Sequence, residues 1–442
     1  MLNNGEMGTS PNTRPAGPSD IAPGLAVEVL RVFTVLGCTS FGGPTAHLGY
    51  FRQEFVERRR WLSDTDYADL VALCQFLPGP ASSQVGMALG WRRAGFAGMC
   101  AAFIGFTLPS VIVLSIFAAG VLAAGDLSNA GWIMGLKAAA VAVVAYAVLG
   151  MARSLLPDAV RASIAVAVMA LLLLVPGVWT QVMAIVVAGL AGYLLLRAPQ
   201  EQAPPDRSVA EAGSAAGGAA AGAGGAAGGA AEAPRALSSG GLWLSAGAFA
   251  TFVALLVALP VLAATTGNSA LALADMFYRA GALVFGGGHV VLPLLEAETM
   301  RLELMDTSTF LAGYGAAQAV PGPLFTFASY LGFVSQVPPG GVVGALVATA
   351  AIFLPAMLLV IAATGVWERL RHIAWVRRAL MGVNAAVVGI LAAALYDPVW
   401  TSAVTGPVTV VFVVVSYLLL SSWKIPAWAV VILAALAGWA VL

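Results

Sequence analysis

Long apolar runs, most of the length that crosses a hydrocarbon core, alternate with short polar stretches along almost the whole chain. They fall at 24–45, 67–91, 94–121, 129–151, 158–175 and 179–196, then at 242–264, 268–292, 309–334, 341–364, 379–396, 401–420 and 425–442. Each run predicts a membrane helix. The runs are interrupted in a pattern that occurs twice. Phe41-Gly42-Gly43-Pro44 and Pro78-Gly79-Pro80 are answered by Phe285-Gly286-Gly287-Gly288 and Pro321-Gly322-Pro323, displaced by 244 and 243 residues. Leu108-Pro109 is likewise answered by Leu354-Pro355, and Gly135-Leu136-Lys137-Ala138-Ala139 by Gly382-Val383-Asn384-Ala385-Ala386.

Glycine and proline break helices and leave amide and carbonyl groups without partners. In lipid such breaks persist only where they are buried in protein or line a wet cavity. Matched breaks in duplicated halves point to a transporter's binding site. The reading is an all-α polytopic membrane protein of two homologous, inverted repeats with broken or re-entrant helices, about 11 to 13 membrane segments in all.

Domain boundaries follow composition. Residues 1–23 carry Gly, Pro, Asn and Ser around a single Arg14 and no apolar core, so a disordered tail is expected rather than a signal peptide. The first repeat occupies 24–197. Residues 198–241 are Ala- and Gly-rich, which predicts a flexible linker. An extra membrane segment at 242–264 has no counterpart before the first repeat, and the second repeat fills 265–442.

The charge of equivalent loops argues for inversion. Arg52 to Arg60 sums four Arg against two Glu, +2, whereas Glu296 to Asp306 sums one Arg against four acids, −3. Later, Gly120 to Gly131 holds only Asp126, while Trp367 to Arg378 holds four Arg against one Glu, +3. Basic loops lie inside, so the halves face opposite ways. Counting segments leaves a conflict. If only the Pro-Gly-Pro pieces re-enter, six crossings separate equivalent loops and the halves would be parallel.

Composition adds that 442 residues at 60% hydrophobic, 10% charged and a mean hydropathy of +0.91 belong in a bilayer. Twenty-one basic residues balance 21 acidic ones, so no nucleic-acid partner is indicated. Cys38, Cys74 and Cys100 have no metal-ligand spacing and read as packing residues. No metalloprotease, Walker or nucleophile-elbow motif is present, so neither an enzyme nor an ATP-driven pump is read here, and no cofactor or metal.

The candidate binding residues are the breaks themselves, Gly42, Gly43, Pro44, Pro78, Gly79, Pro80, Gly286, Gly287, Gly288, Pro321, Gly322 and Pro323, with the polar residues that follow them, Ser82, Ser83, Gln84 and Thr326. A half-helix that starts at such a break presents amides without acceptors and a positive dipole end, which suits an anion. Lys137, one of two lysines, lies near the middle of an otherwise apolar span. A charge there costs about 2.5 to 3.5 kcal/mol, so it is expected to face a cavity or a partner acid; its counterpart is Asn384. His47 and His289 follow the first breaks and read as interface histidines with a proton relay as the alternative. Glu28 with Arg31, and Asp275 with Arg279, are expected to pair along their helices. Glu296 and Glu298 read as a solvated face.

The duplicated Phe-Gly-Gly-Pro and Pro-Gly-Pro marks, Arg58-Arg59-Arg60-Trp61 and the Gly135 to Ala139 stretch together resemble the chromate ion transporter family in its long two-repeat form. The resemblance covers about 25–197 and 268–440, and the second copy departs from it at Gly288, where the first has Pro44. It implies a multi-pass inner-membrane protein that moves chromate outward, with sulfate as the structural analogue and chromate resistance as the outcome. Its partners would be the oxyanion and the lipid bilayer, with a homodimer left open. The competing readings are a transporter for another anion, a channel, and a sensor without cargo.

Overall fold

The computed structural model describes residues 23–41, 43–125, 130–175, 178–196, 239–284, 291–364 and 374–441. The tail 1–22, Gly42, residues 197–238 of the linker, Gly286, Gly287, Gly288 and His289 lie outside the described residues, as do 365–373 of the basic Trp367 to Arg378 loop.

Every element is helical among the described residues, as a chain with few side-chain donors must be where backbone groups can find no water. The first repeat comprises α1 (Pro23–Thr39), α2 (Gly43–Phe51) with a π-helical continuation (Arg52–Arg58), α3 (Asp64–Phe76), α4 (Ala81–Ala124), α5 (Gly131–Leu155), α6 (Ala159–Leu174) and α7 (Val178–Leu195). The extra helix is α8 (Ser239–Thr266). The second repeat comprises α9 (Ser269–Leu283), α10 (Val291–Arg301), α11 (Thr307–Ala319), a 3-10 turn (Leu324–Thr326), α12 (Phe327–Val334) and α13 (Gly341–Thr364). It continues with α14 (Ala374–Ala394), a π turn (Leu395–Trp400), α15 (Pro407–Ser421) and α16 (Ala427–Val441). Among the described residues, five helical stretches are long and apolar enough to cross a membrane: 81–124, 131–155, 243–266, 341–363 and 378–403.

The run 24–45, expected as a span, is one arm of a hairpin. Gly43 takes φ +75° and turns the chain, so that α2 and its π continuation fold back along α1. An aromatic cluster holds the arms together, with Phe33 at 5.6 Å from Phe51 and 5.1 Å from Phe55, and Phe106 at 5.1 Å from Phe51. The next piece does the same. α3 runs to Pro78-Gly79-Pro80, and α4 returns as a short inner arm before its helical geometry breaks at Ala94 and Gly95. Each arm has 13 residues, about 20 Å, against a hydrocarbon core of about 30 Å.

Both hairpins close at one end of the bundle, because the Glu28 carboxylate binds Arg59 at 3.2 Å and Arg93 at 3.0 Å. Glu28 therefore does not serve Arg31, the partner expected from helical spacing. Arg59 and Arg93 also flank Trp61, at 6.0 and 5.0 Å from its ring centre. The second repeat repeats the arrangement, and the Gln336 amide donates to the Leu304 carbonyl at 2.9 Å, joining the outer ends of its two hairpins.

The repeats exchange their packing. α5 of the first packs against α15 and α16 of the second, and α14 of the second packs against α6 and α7 of the first. Cys74 is buried and Cys100 half-buried, as packing residues should be, but Cys38 is exposed on α1.

Candidate functional site

The two Pro-Gly-Pro breaks are each held by the opposite repeat. The Gly79 amide donates to the Val284 carbonyl at 2.6 Å, and the Gly322 amide donates to the Ser40 carbonyl at 2.9 Å. Val284 and Ser40 are equivalent residues, each immediately before its own repeat's glycine break. Both donors have backbone conformations that L side chains avoid, φ +116° at Gly79 and +95° at Gly322. Ser110 of α4 adds a hydroxyl hydrogen bond to the Pro321 carbonyl. The two Pro-Gly-Pro breaks, Ser40 and Val284 thus come together in the interior.

Several helices that start at the ends of the bundle are capped, although α5 begins at Ala130 without a side-chain cap. α3, α6, α9 and α11 begin with side-chain caps from Ser63, Asp158, Asn268 and Asp306. α4 begins at Pro80 with no side-chain cap, and its first intrahelical amide bond is that of Gln84 to the Pro80 carbonyl at 2.9 Å. The preceding amides of Ala81, Ser82 and Ser83 carry the positive end of the helix dipole.

Around that turn, Ser82, Ser83 and Gln84 are all buried. Gln84 donates Nε2–H to the Pro78 carbonyl at 2.7 Å, bracing the break, and its Oε1 has no partner. The Ser83 hydroxyl and the Ser40 hydroxyl are also buried without partners. Orphaned buried polar atoms of this kind are rare and destabilising unless something occupies the site. The donors left for a ligand are the first-turn amides and Ser83 Oγ–H.

His47, read from the sequence as an interface residue, is buried between the breaks. Its Nε2 lies 3.1 Å from the Ser40 carbonyl, which can only accept, so Nε2 carries the proton. Nδ1, 3.4 Å from Ser82 Oγ, then accepts from that hydroxyl. One chain of hydrogen bonds therefore runs from Gly322 through Ser40 and His47 to Ser82 at the start of α4. Sequence inspection missed Ser40 and read His47 first as an interface residue. The available signal was a polar residue on each arm of an otherwise apolar hairpin.

The remaining candidates are placed less centrally. Gly43 and Pro44 open α2 and are half-buried. Thr326 is buried, but its hydroxyl is committed to the Pro323 carbonyl at 2.6 Å, and the helix start there is a 3-10 turn. Lys137 lies in the second turn of α5, not at its middle, and donates to Ser308 Oγ at 3.0 Å. Ser308 stands at the outer end of α11, roughly 18 Å along that helix from its inner end before Pro321. Lys137 is therefore not brought to the breaks. Asn384 is half-buried in α14, which packs on α5, α6, α7 and α10.

Two acidic readings change. Asp275 pairs with Arg279 at 2.7 Å as expected, but Glu298 joins them at 3.6 Å and also binds Arg301 at 2.6 Å. Glu296 and Glu298 are both buried, at 3% exposure each, so they do not form a solvated face. The hairpin fold turns α10 inward against α9.

Comparison with known proteins agrees with this duplicated architecture. A family model described as chromate transporter matches residues 27–193 and 271–439, one match per repeat. A chromate transport protein of Pseudomonas aeruginosa is 28% identical over 94% of this chain and 92% of its own length. The corresponding protein of Cupriavidus metallidurans is 26% identical over 97% and 96%, and a probable chromate transport protein of Synechococcus elongatus is 24% identical over 93% and 94%. No solved structure matches the chain. With both repeats matched over most of the sequence, this multi-pass membrane chain belongs to the chromate transporter family.

Proposed function

We propose that the chain is a secondary transporter that exports chromate, or a sulfate-like tetrahedral dianion, across the inner membrane and so confers chromate resistance. The observation that carries this reading is the uncapped, buried start of α4. Its amides and the unpartnered Ser83 hydroxyl offer donors to an anion without placing a fixed cation beside it. Three relatives whose names specify chromate transport, aligned over nearly their full length, support chromate as the cargo. Direction follows from electrostatics. A dianion leaving a cell with a negative interior gains about 4.6 kcal/mol per 100 mV, twice the single-charge value.

Alternating access needs halves that exchange roles, and we take the repeats to be inverted. The cross-repeat hydrogen bonds of Gly79 and Gly322 are reciprocal, as any two-fold axis would make them, and two further observations favour an axis in the membrane plane. The loops that follow the first breaks differ in charge, +2 against −3. If 24–45 folds back as well as the Pro-Gly-Pro piece, α5, α6, α7, α8 and the outer arm of α4 are the crossings between the repeats. Five crossings, unlike six, turn the second repeat over. Lys137, held to Ser308 at an outer hairpin end, would then meet the anion at one mouth of the pathway.

Everted membrane vesicles supplied with labelled chromate decide the function. Uptake competed by excess sulfate is the expected result. Vesicles containing correctly inserted protein that take up chromate no faster than empty ones would refute it, and single-channel currents in a bilayer would replace a carrier by a channel.

A further inference from the structure

The anion site does not use Glu296. Its carboxyl group is 3% exposed, lies in the second turn of α10, and has no hydrogen-bond partner on either oxygen among the described residues. Glu298, two residues on, shows how the fold satisfies a buried carboxylate: two arginines bind it. Among the described residues nothing comparable binds Glu296. α9 brings Asp275 and Arg279, which are committed to each other and to Glu298. α14 brings Arg378, whose guanidinium stacks over Tyr193 of α7 at 5.1 Å while its Nε is buried without a partner, and the ionisable side chain that α11 brings is that of Tyr314.

An unpaired carboxylate in such a place is strongly destabilising, whereas the neutral acid is tolerated. We infer that Glu296 is a proton-binding site of the transport cycle, held as the acid while it is buried. The step is a proton transfer alone. The O–H bond of Glu296 breaks as one forms on water admitted to the site, and the reverse recharges Glu296. Coupling of this proton to anion movement rests on the transporter reading above.

The full chain, purified and reconstituted in liposomes, tests both parts. Infrared difference spectra across a pH titration are expected to contain a carboxylic-acid C=O band that disappears in Glu296→Gln. Identical spectra for the two proteins would overturn the assignment whatever the cargo. In transport, Glu296→Gln is expected to keep chromate–chromate exchange at equal pH on both sides while losing accumulation driven by a pH gradient. Gradient-driven accumulation that survives in Glu296→Gln, or that is absent from the parent chain while exchange proceeds, overturns the coupling role. Should Glu296→Gln fail to assemble, Glu296→Asp keeps a carboxyl group at the site and is expected to keep the infrared band with an altered titration midpoint; spectra identical to those of the parent chain would overturn the assignment. Failure of the parent chain to exchange chromate at all counts against the transporter reading, and the infrared band still decides whether Glu296 binds a proton.

Discussion

The amide of Gly322 donates to the carbonyl of Ser40 at 2.9 Å, tying the proline break of one repeat to the residue before the glycine break of the other. His47 donates to the same carbonyl. A single acceptor thus registers the second repeat's hairpin tip against the histidine that reaches the start of α4. Any movement that separates the repeats at this point must break or replace that bond.

Gly322→Ala is expected to be more damaging than the same methyl addition at Gly43. The Gly322 φ of +95° alone costs a non-glycine residue about 1 to 2 kcal/mol, and the new Cβ would lie 2.3 Å from Ser110 Oγ. Gly43→Ala, at φ +75° but with nothing within 4 Å of the added atom, should lose only the conformational part. Thermal stability of the two variants in detergent, measured side by side, checks the order. Equal losses would mean that the packing around Ser110 yields freely.

Ser83→Ala removes a buried hydroxyl that has no partner in the unliganded fold, so stability is expected to hold or rise. Chromate affinity should fall by about 1.5 to 3 kcal/mol, the value of a hydrogen bond to a charged group, or roughly 10- to 150-fold. Transport kinetics should place the change in the apparent KM. Unchanged KM would remove Ser83 from the site.

Inversion is checked at the outer ends of equivalent hairpins. Arg92 and Gln336 are both exposed, and the one Gln336 contact described here is made by its backbone. In a background with Cys38, Cys74 and Cys100 replaced, Arg92→Cys and Gln336→Cys are expected to react with an impermeant thiol reagent from opposite faces of the membrane. Reaction from one face would make the repeats parallel.

Lys137 makes no ion pair among the described residues and donates to Ser308. Lys137→Ala is therefore expected to leave protein abundance nearly unchanged, since no buried acid is stranded. It should weaken chromate transport if the lysine lines one mouth of the pathway, and Lys137→Arg should retain part of the activity. Abundance and transport measured together separate these effects. A fall in abundance that accounts for all lost transport would make the lysine structural.

The sequence by itself determined the class of the molecule and the places where it is irregular. Apolar runs in lipid leave the backbone no choice but helix, and doubled glycine and proline marks are local facts that survive in one dimension. The pairing of Asp275 with Arg279 was legible for the same reason, being set by helical spacing. What the tertiary structure decided is which broken pieces fold back and what they meet. The run 24–45 is long enough to span, yet a reversal at Gly43 and the packing of Phe33 on Phe51 and Phe55 make it half of a hairpin. Glu28 chose Arg59 and Arg93 over its helical neighbour Arg31 because the closed hairpins deliver them to it. His47, Ser40 and Glu296 gained their meaning in the same way. None of them is marked out by the sequence, and only the tertiary packing removes their water and selects their partners, or leaves them with none.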